Sequence, residues 1–137
     1  MKSKVKVSWI DGMAFEADVN NHKMIFDADE SVGGQDRGPR PKAFVLGSLG
    51  GCTGMDVVAM LKKMKQEVAS FHMEIEGDAS EDHPKVFTHV HVKYIFSGSD
   101  LDMEKLKKAV DLSQDKYCSV SAMLKKAMEV SYSIEII

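Results

Sequence analysis

No stretch of this 137-residue chain approaches the roughly 18 consecutive apolar residues a membrane-spanning helix needs, so no membrane span is expected. Met1 to Ile10 alternates Lys with Val and Ile, with no apolar core and no small-residue cleavage site, which argues against a secretory leader. Basic charge is nowhere concentrated. The 18 Lys and Arg are outnumbered by 21 Asp and Glu, for a net charge of −3, and the lysines are scattered. Nucleic-acid binding needs a concentrated positive footprint, so that class is set aside. Internal repeats and low-complexity tracts are absent. Cysteine is confined to Cys52 and Cys118, and arginine to Arg37 and Arg40. The expected location is the cytoplasm. Thiols there are kept reduced, so two cysteines are catalytic, redox-active or simply buried rather than a structural staple.

What is present is an ordinary globular composition, 44% hydrophobic and 28% charged. The length fits one domain, residues 1–137, able to bury about two thirds of its unfolded surface. Val5 to Ile10, Met13 to Val19 and Lys23 to Ala28 read as three strands joined at Asp11-Gly12 and Asn20-Asn21, a meander. Asp29 to Arg40 is a glycine-rich loop that holds both arginines. Pro41 suits a first helical position, and Phe44, Val45, Leu46 and Leu49 follow at helical spacing. Gly50-Gly51 is expected to break that helix, with a second one running from Cys52 to about Glu67. Its stripe is Met55, Val58, Leu61, Met64 and Val68. Phe71 to Ala79 and Val86 to Phe96 are strands, the latter with Val90, Val92, Tyr94 and Phe96 on one face. Helices over Met103 to Ser113 and Ser119 to Ala127 precede a last strand, Val130 to Ile136. The order βββ-αα-ββ-αα-β predicts an α+β fold with mostly antiparallel strands.

Cys52 and Cys118 each stand at an expected helix start. Unpaired N–H groups and the helix dipole there favour an anion, and the thiolate is the reactive form of cysteine. The competing reading is that both are small buried apolar residues. As a pair they suggest a cycle: one thiolate attacks a peroxide oxygen, the second thiol condenses with the sulfenic acid, and a dithiol resets the disulfide.

At these residues the chain resembles the OsmC/Ohr family of bacterial hydroperoxide-reducing proteins. The likeness spans nearly the whole chain. It is carried by Gly38-Pro39-Arg40-Pro41, by Leu46-Gly47-Ser48-Leu49-Gly50-Gly51-Cys52-Thr53-Gly54-Met55-Asp56-Val57-Val58, and by Ala109 to Ala122 around Cys118. It looks closest to the OsmC-like branch of uncharacterised redox proteins. The resemblance implies one OsmC-like domain with antiparallel sheets around a long central helix, in an intertwined homodimer. It implies that Cys52 is the peroxidatic and Cys118 the resolving cysteine. It also implies organic hydroperoxides, and less efficiently hydrogen peroxide, as substrates, no metal or flavin, and a dithiol reductant such as a lipoylated protein.

Two departures stand out. The family's hairpin arginine has no counterpart in Trp9 to Phe15, and its helix glutamate is replaced at Lys42 and Ala43. A guanidinium at the site must then come from Arg37 or Arg40, and Arg40, beside Pro41, is the candidate; Lys42 offers only a point charge. The contrary reading makes all three solvated loop charges. An OsmC-like protein with weak or no peroxidase activity is therefore the alternative, acting on another sulfur electrophile or binding a small apolar ligand. His89 and His91 are spaced for one strand face, but Lys93 shares it, which favours an exposed polar face over a metal pair. The ten methionines fit flexible core packing, or an apolar pocket for a hydroperoxide. Asp56 is a hydrogen-bonding candidate near Cys52, and Thr53 and Ser48 are pocket candidates. No base lies near them in sequence, so serine nucleophilic catalysis lacks support.

Overall fold

Asn20 and Asn21 take φ values of 52° and 64° in the computed structural model, which describes residues 1–137. Two successive positive φ angles define the primed turn that matches strand twist, and asparagine tolerates them. The chain divides into two compact units, Met1–Val45 and Leu46–Ile137. In the first, β1 (Lys6–Asp11), β2 (Ala14–Val19) and β3 (His22–Phe26) form the expected antiparallel meander. A register shift between Trp9 and Asp11 carries β1 one residue further than alternation predicts.

The loop after β3 is organised by one carboxylate. Asp27 Oδ1 accepts the N–H of Ala28 at 2.8 Å. Its Oδ2 accepts the N–H groups of Gln35 and Arg37 and the Arg37 Nε–H, each at 3.2 Å. Phe44, in the first turns of the following helix, packs edge-on to Phe26 with ring centroids 5.3 Å apart.

That helix, α1 (Pro41–Lys63), begins in the first unit and runs on as the first element of the second. It is one helix, not two. The break expected at Gly50-Gly51 does not occur, because the glycines serve packing. A Cβ built on Gly50 would stand 2.8 Å from Ile75 Cδ1, and one on Gly54 2.9 Å from Met73 Cε. Each interior glycine costs about 1 kcal/mol of helix propensity, which close contact with the sheet offsets. The merger also corrects the expectation about membrane spans. By length and composition α1 is apolar enough to cross one. One face of it, Leu49, Val57 and Leu61, is instead buried in the core of the second unit.

The second unit contains β4 (Ser70–Ala79), β5 (Phe87–Ser97) and β6 (Glu129–Ile136), in the order β4-β5-β6. β4 and β5 form an antiparallel hairpin; β6 joins β5 in parallel, after a crossover through α2 (Met103–Leu112) and α3 (Ser119–Lys125). Val90, Val92, Tyr94 and Phe96 are fully buried, so the alternation of β5 reads as expected. Phe71 stacks on Phe96 with centroids 4.5 Å apart. Asp102 caps α2 by accepting the Glu104 N–H at 3.0 Å. Between α2 and α3 the chain makes a π-helical turn, Ser113–Tyr117.

Candidate functional site: two adjacent thiols and a buried hydroxyl chain

Cys52 lies in the interior of α1, half-buried, rather than at a helix start. Cys52 therefore lacks the N-terminal dipole expected from its sequence setting, since only the first turn of a helix carries unpaired N–H groups. Cys118 does occupy a helix start: it is the N-cap of α3, where its Sγ accepts the Ser121 N–H at 3.3 Å. Its chemistry is nonetheless opposite to the expectation. Burial pushes the Cys118 thiol up to about 11, against the Ser121 hydrogen bond, and the neighbouring Cys52 side chain adds to the rise. Loss of hydration outweighs what one short helical turn can return to a buried anion. At neutral pH Cys118 is a thiol.

The two cysteines, 66 positions apart in sequence, are brought together. Both are free, and they are near enough for the Cys52 side chain to help raise the Cys118 pKa.

Around them runs a chain of buried polar side chains. Ser113 Oγ donates to Asp56 Oδ2 at 3.0 Å. Thr53 Oγ1 lies 2.7 Å from Ser113 Oγ and 2.6 Å from Tyr94 OH. Gln114 Nε2 donates to Tyr94 OH at 2.7 Å, and Ser121 Oγ donates to Gln114 Oε1 at 2.6 Å. Thr53, Tyr94, Ser113 and Ser121 are fully buried, yet no buried side-chain N or O atom lacks a partner. Burial raises the Tyr94 phenol above its ordinary range, so it stays a neutral donor. Asp56 and Thr53 were singled out by their nearness to Cys52. Tyr94, Ser113, Gln114 and Ser121 were not. The available signal was polarity in apolar rows: Tyr94 carries the one hydroxyl between Val92 and Phe96, and Ser113 and Gln114 continue the buried Leu106, Val110 stripe.

Arg40 belongs to the first unit, where its Nη1 donates to Asp36 at 2.6 Å and to the Gly38 carbonyl at 3.0 Å, and its Nη2 to Asp29 at 3.3 Å. With Pro41, Phe15, Phe26 and Val7 it lines an apolar cavity of about 750 Å³. Arg37 is held by Asp11 and Asp27. His89 and His91 share Ser131 Oγ at 2.8 and 2.7 Å, and His91 also meets Ser133 Oγ at 2.9 Å. No three His, Cys, Asp or Glu side chains converge to hold a metal ion.

Two neighbouring free thiols, set on a helix-and-sheet core beside a chain of buried polar side chains, are what distinguishes the site. The family model for OsmC-like protein matches residues 33–133. Protein YhfA of Escherichia coli K12 is 34% identical over 135 residues, 98% of each chain. The crystal structure of a hypothetical protein from Aquifex aeolicus VF5 has 29% identity and a TM-score of 0.84, covering 100% of this chain and 98% of that one. The organic hydroperoxide resistance protein OhrB of Bacillus subtilis shares the fold at a TM-score of 0.65 and 19% identity, over 98% of both chains. The chain belongs to the OsmC-like protein family.

Proposed function

We propose that this protein is a two-cysteine hydroperoxide reductase. The carrying observation is the nearness of a half-buried thiol, Cys52, to a buried one, Cys118, whose pKa it helps raise and whose proton is retained at neutral pH. Cys52, as thiolate, attacks the outer oxygen of an organic hydroperoxide or of hydrogen peroxide. An S–O bond forms, the O–O bond breaks, and the departing alkoxide takes a proton and leaves as the alcohol. The Cys118 sulfur then attacks the sulfenic sulfur. The S–S bond forms, and the hydroxyl leaves with the Cys118 proton as water. An external dithiol, such as a lipoylated protein, reduces the disulfide by two exchanges and is itself oxidised to a disulfide. No metal or prosthetic group enters the cycle.

The division of labour follows from environment. The attacking sulfur must be reachable, and Cys52 is the less buried of the two. A resolving thiol that keeps its proton does not compete for peroxide and brings the proton that water formation needs. Arg40 enters as the cation the family likeness asks for. The working protein is proposed to be one domain, a cytoplasmic homodimer.

The test is intact mass and thiol titration before and after one equivalent of cumene hydroperoxide. Wild type should lose two thiols, Cys52→Ser should consume no peroxide, and Cys118→Ser should stop at a sulfenate. Arg40→Ala should slow peroxide turnover while leaving oxidation by diamide unchanged. Peroxide consumption by Cys52→Ser at the wild-type rate overturns the proposal.

One observation favours a second reading. Both guanidinium groups are engaged by carboxylates, Arg37 by Asp11 of β1 and by Asp27, Arg40 by Asp29 and Asp36 of its own loop. A dithiol protein without a free guanidinium suits a sulfur electrophile, such as a low-molecular-weight disulfide, better than a peroxide. Faster loss of both thiols with such a disulfide than with cumene hydroperoxide decides for it.

A further inference from the structure

The hydroxyl chain has a direction, and it ends on Cys118. Ser113 has one hydroxyl proton, and both groups it points at, Asp56 Oδ2 at 3.0 Å and the Thr53 carbonyl at 3.5 Å, accept only. Thr53 must therefore donate to Ser113, and Tyr94 to Thr53. The Tyr94 oxygen is then left to accept, and the one donor facing it is Gln114 Nε2–H. That turns Gln114 Oε1 toward Ser121, whose hydroxyl donates to it and whose backbone N–H donates to Cys118 Sγ.

Gln114 is consequently a clamp. It sits in the π-helical turn just before Cys118, and its carbonyl accepts Lys125 Nζ–H at 2.6 Å from the far end of α3. Its side chain ties that turn to β5 through Tyr94 and to the first turn of α3 through Ser121. The Cys118 N–H donates back to the Ser113 carbonyl at 2.8 Å. Both flanks of Cys118 are thus referred to one buried amide. Packing alone would be served as well by an apolar side chain of the same volume, which needs no satisfied network.

We propose that Gln114 is a positioning residue for Cys118, holding its thiol in line for condensation with Cys52; the inference rests on the reading of Cys118 as the resolving thiol. Disulfide formation admits a narrow range of geometry. Letting the Cys118 turn drift slows the second step of the cycle and leaves the first untouched.

The test compares wild type, Gln114→Met and Tyr94→Phe in the full reduced chain, each checked for folding by circular dichroism. One equivalent of cumene hydroperoxide is added, sulfenate is trapped with dimedone at successive times, and intact mass separates sulfenate from disulfide. In parallel, diamide closes the disulfide without peroxide: two thiols are oxidised to the disulfide and the diazene is reduced to the hydrazine. Gln114→Met should form the Cys52 sulfenate at the wild-type rate. Its conversion to disulfide, by either oxidant, should fall about tenfold to a hundredfold, the effect of ångström-sized misplacement of a reacting group. Tyr94→Phe should slow the same step, and it decides the matter if Gln114→Met does not fold. Wild-type disulfide rates in the folded variants overturn the inference, as does failure of diamide to close the wild-type disulfide. A wild type inert to peroxide but closed by diamide sinks the peroxidase reading alone, and the diamide comparison still judges Gln114.

Discussion

Asp27 and Cys118 are both buried and both titratable, and their surroundings push them in opposite senses. For Asp27 burial works to raise the pKa. Hydrogen bonds from the Ala28 and Arg37 N–H groups, the Arg37 side chain and the Gln35 N–H outweigh it and hold the carboxyl at about 2. Cys118 has only the Ser121 and Val120 N–H groups against burial and rises to about 11. The difference is donor number. An Asp whose folded pKa lies below its ordinary 3.8 stabilises the fold above that value. The contribution is lost as pH falls through the folded pKa. Asp27→Asn should accordingly lower the urea midpoint at pH 7, and the gap to wild type should close as pH drops from about 4 toward about 2. A gap of constant size across that range would contradict the assignment. From the sequence Asp27 was indistinguishable from the other acidic residues near the loop, because its partners are backbone N–H groups that only the folded loop presents.

Among the elements, α1 departs furthest from its sequence expectation. Glycine pairs usually end helices, and the rule failed because Gly50 and Gly54 meet Ile75 and Met73 of β4. The contact sets a graded prediction. Gly50→Ala should be nearly neutral: the helix gains about 1 kcal/mol in propensity, while the end of a flexible Ile75 chain must give way. Gly50→Leu should cost about 1–3 kcal/mol by overpacking, read as a lower urea midpoint with unchanged slope. Equal stability of the two variants would mean that β4 does not lie on that face. The β-strands were more legible than the helix, since Val90, Val92, Tyr94 and Phe96 alternate and burial follows the period of two. The parallel pairing of β6 with β5 was not legible, because alternation carries no strand direction.

Taken as a whole molecule, the chain leaves large apolar side chains in water. On α1, Met55 is 76% and Val58 55% exposed, beside a groove of about 520 Å³ floored by Gly50, Gly54, Phe71 and Met73. Such a surface marks an interaction site. In the proposed homodimer a second copy covers it. Light scattering at micromolar concentration should give twice the mass of the chain, and Met55→Glu should shift it toward one chain while leaving the circular dichroism unchanged. A wild-type mass of one chain would refute the dimer.

Composition and alternation were enough to place the chain in its fold class, and the likeness of two motifs to a known family pointed to that family and to Cys52 and Cys118, because strand period and motif spacing are local properties of a sequence. The junction of thiols 66 positions apart, the rise of the Cys118 pKa, and the union of Asp56, Thr53, Tyr94, Ser113, Gln114 and Ser121 belong to the tertiary structure. Burial and hydrogen-bond supply depend on what packing delivers from α1, β5, the π-helical turn and α3 to one place, and no window of sequence contains all four.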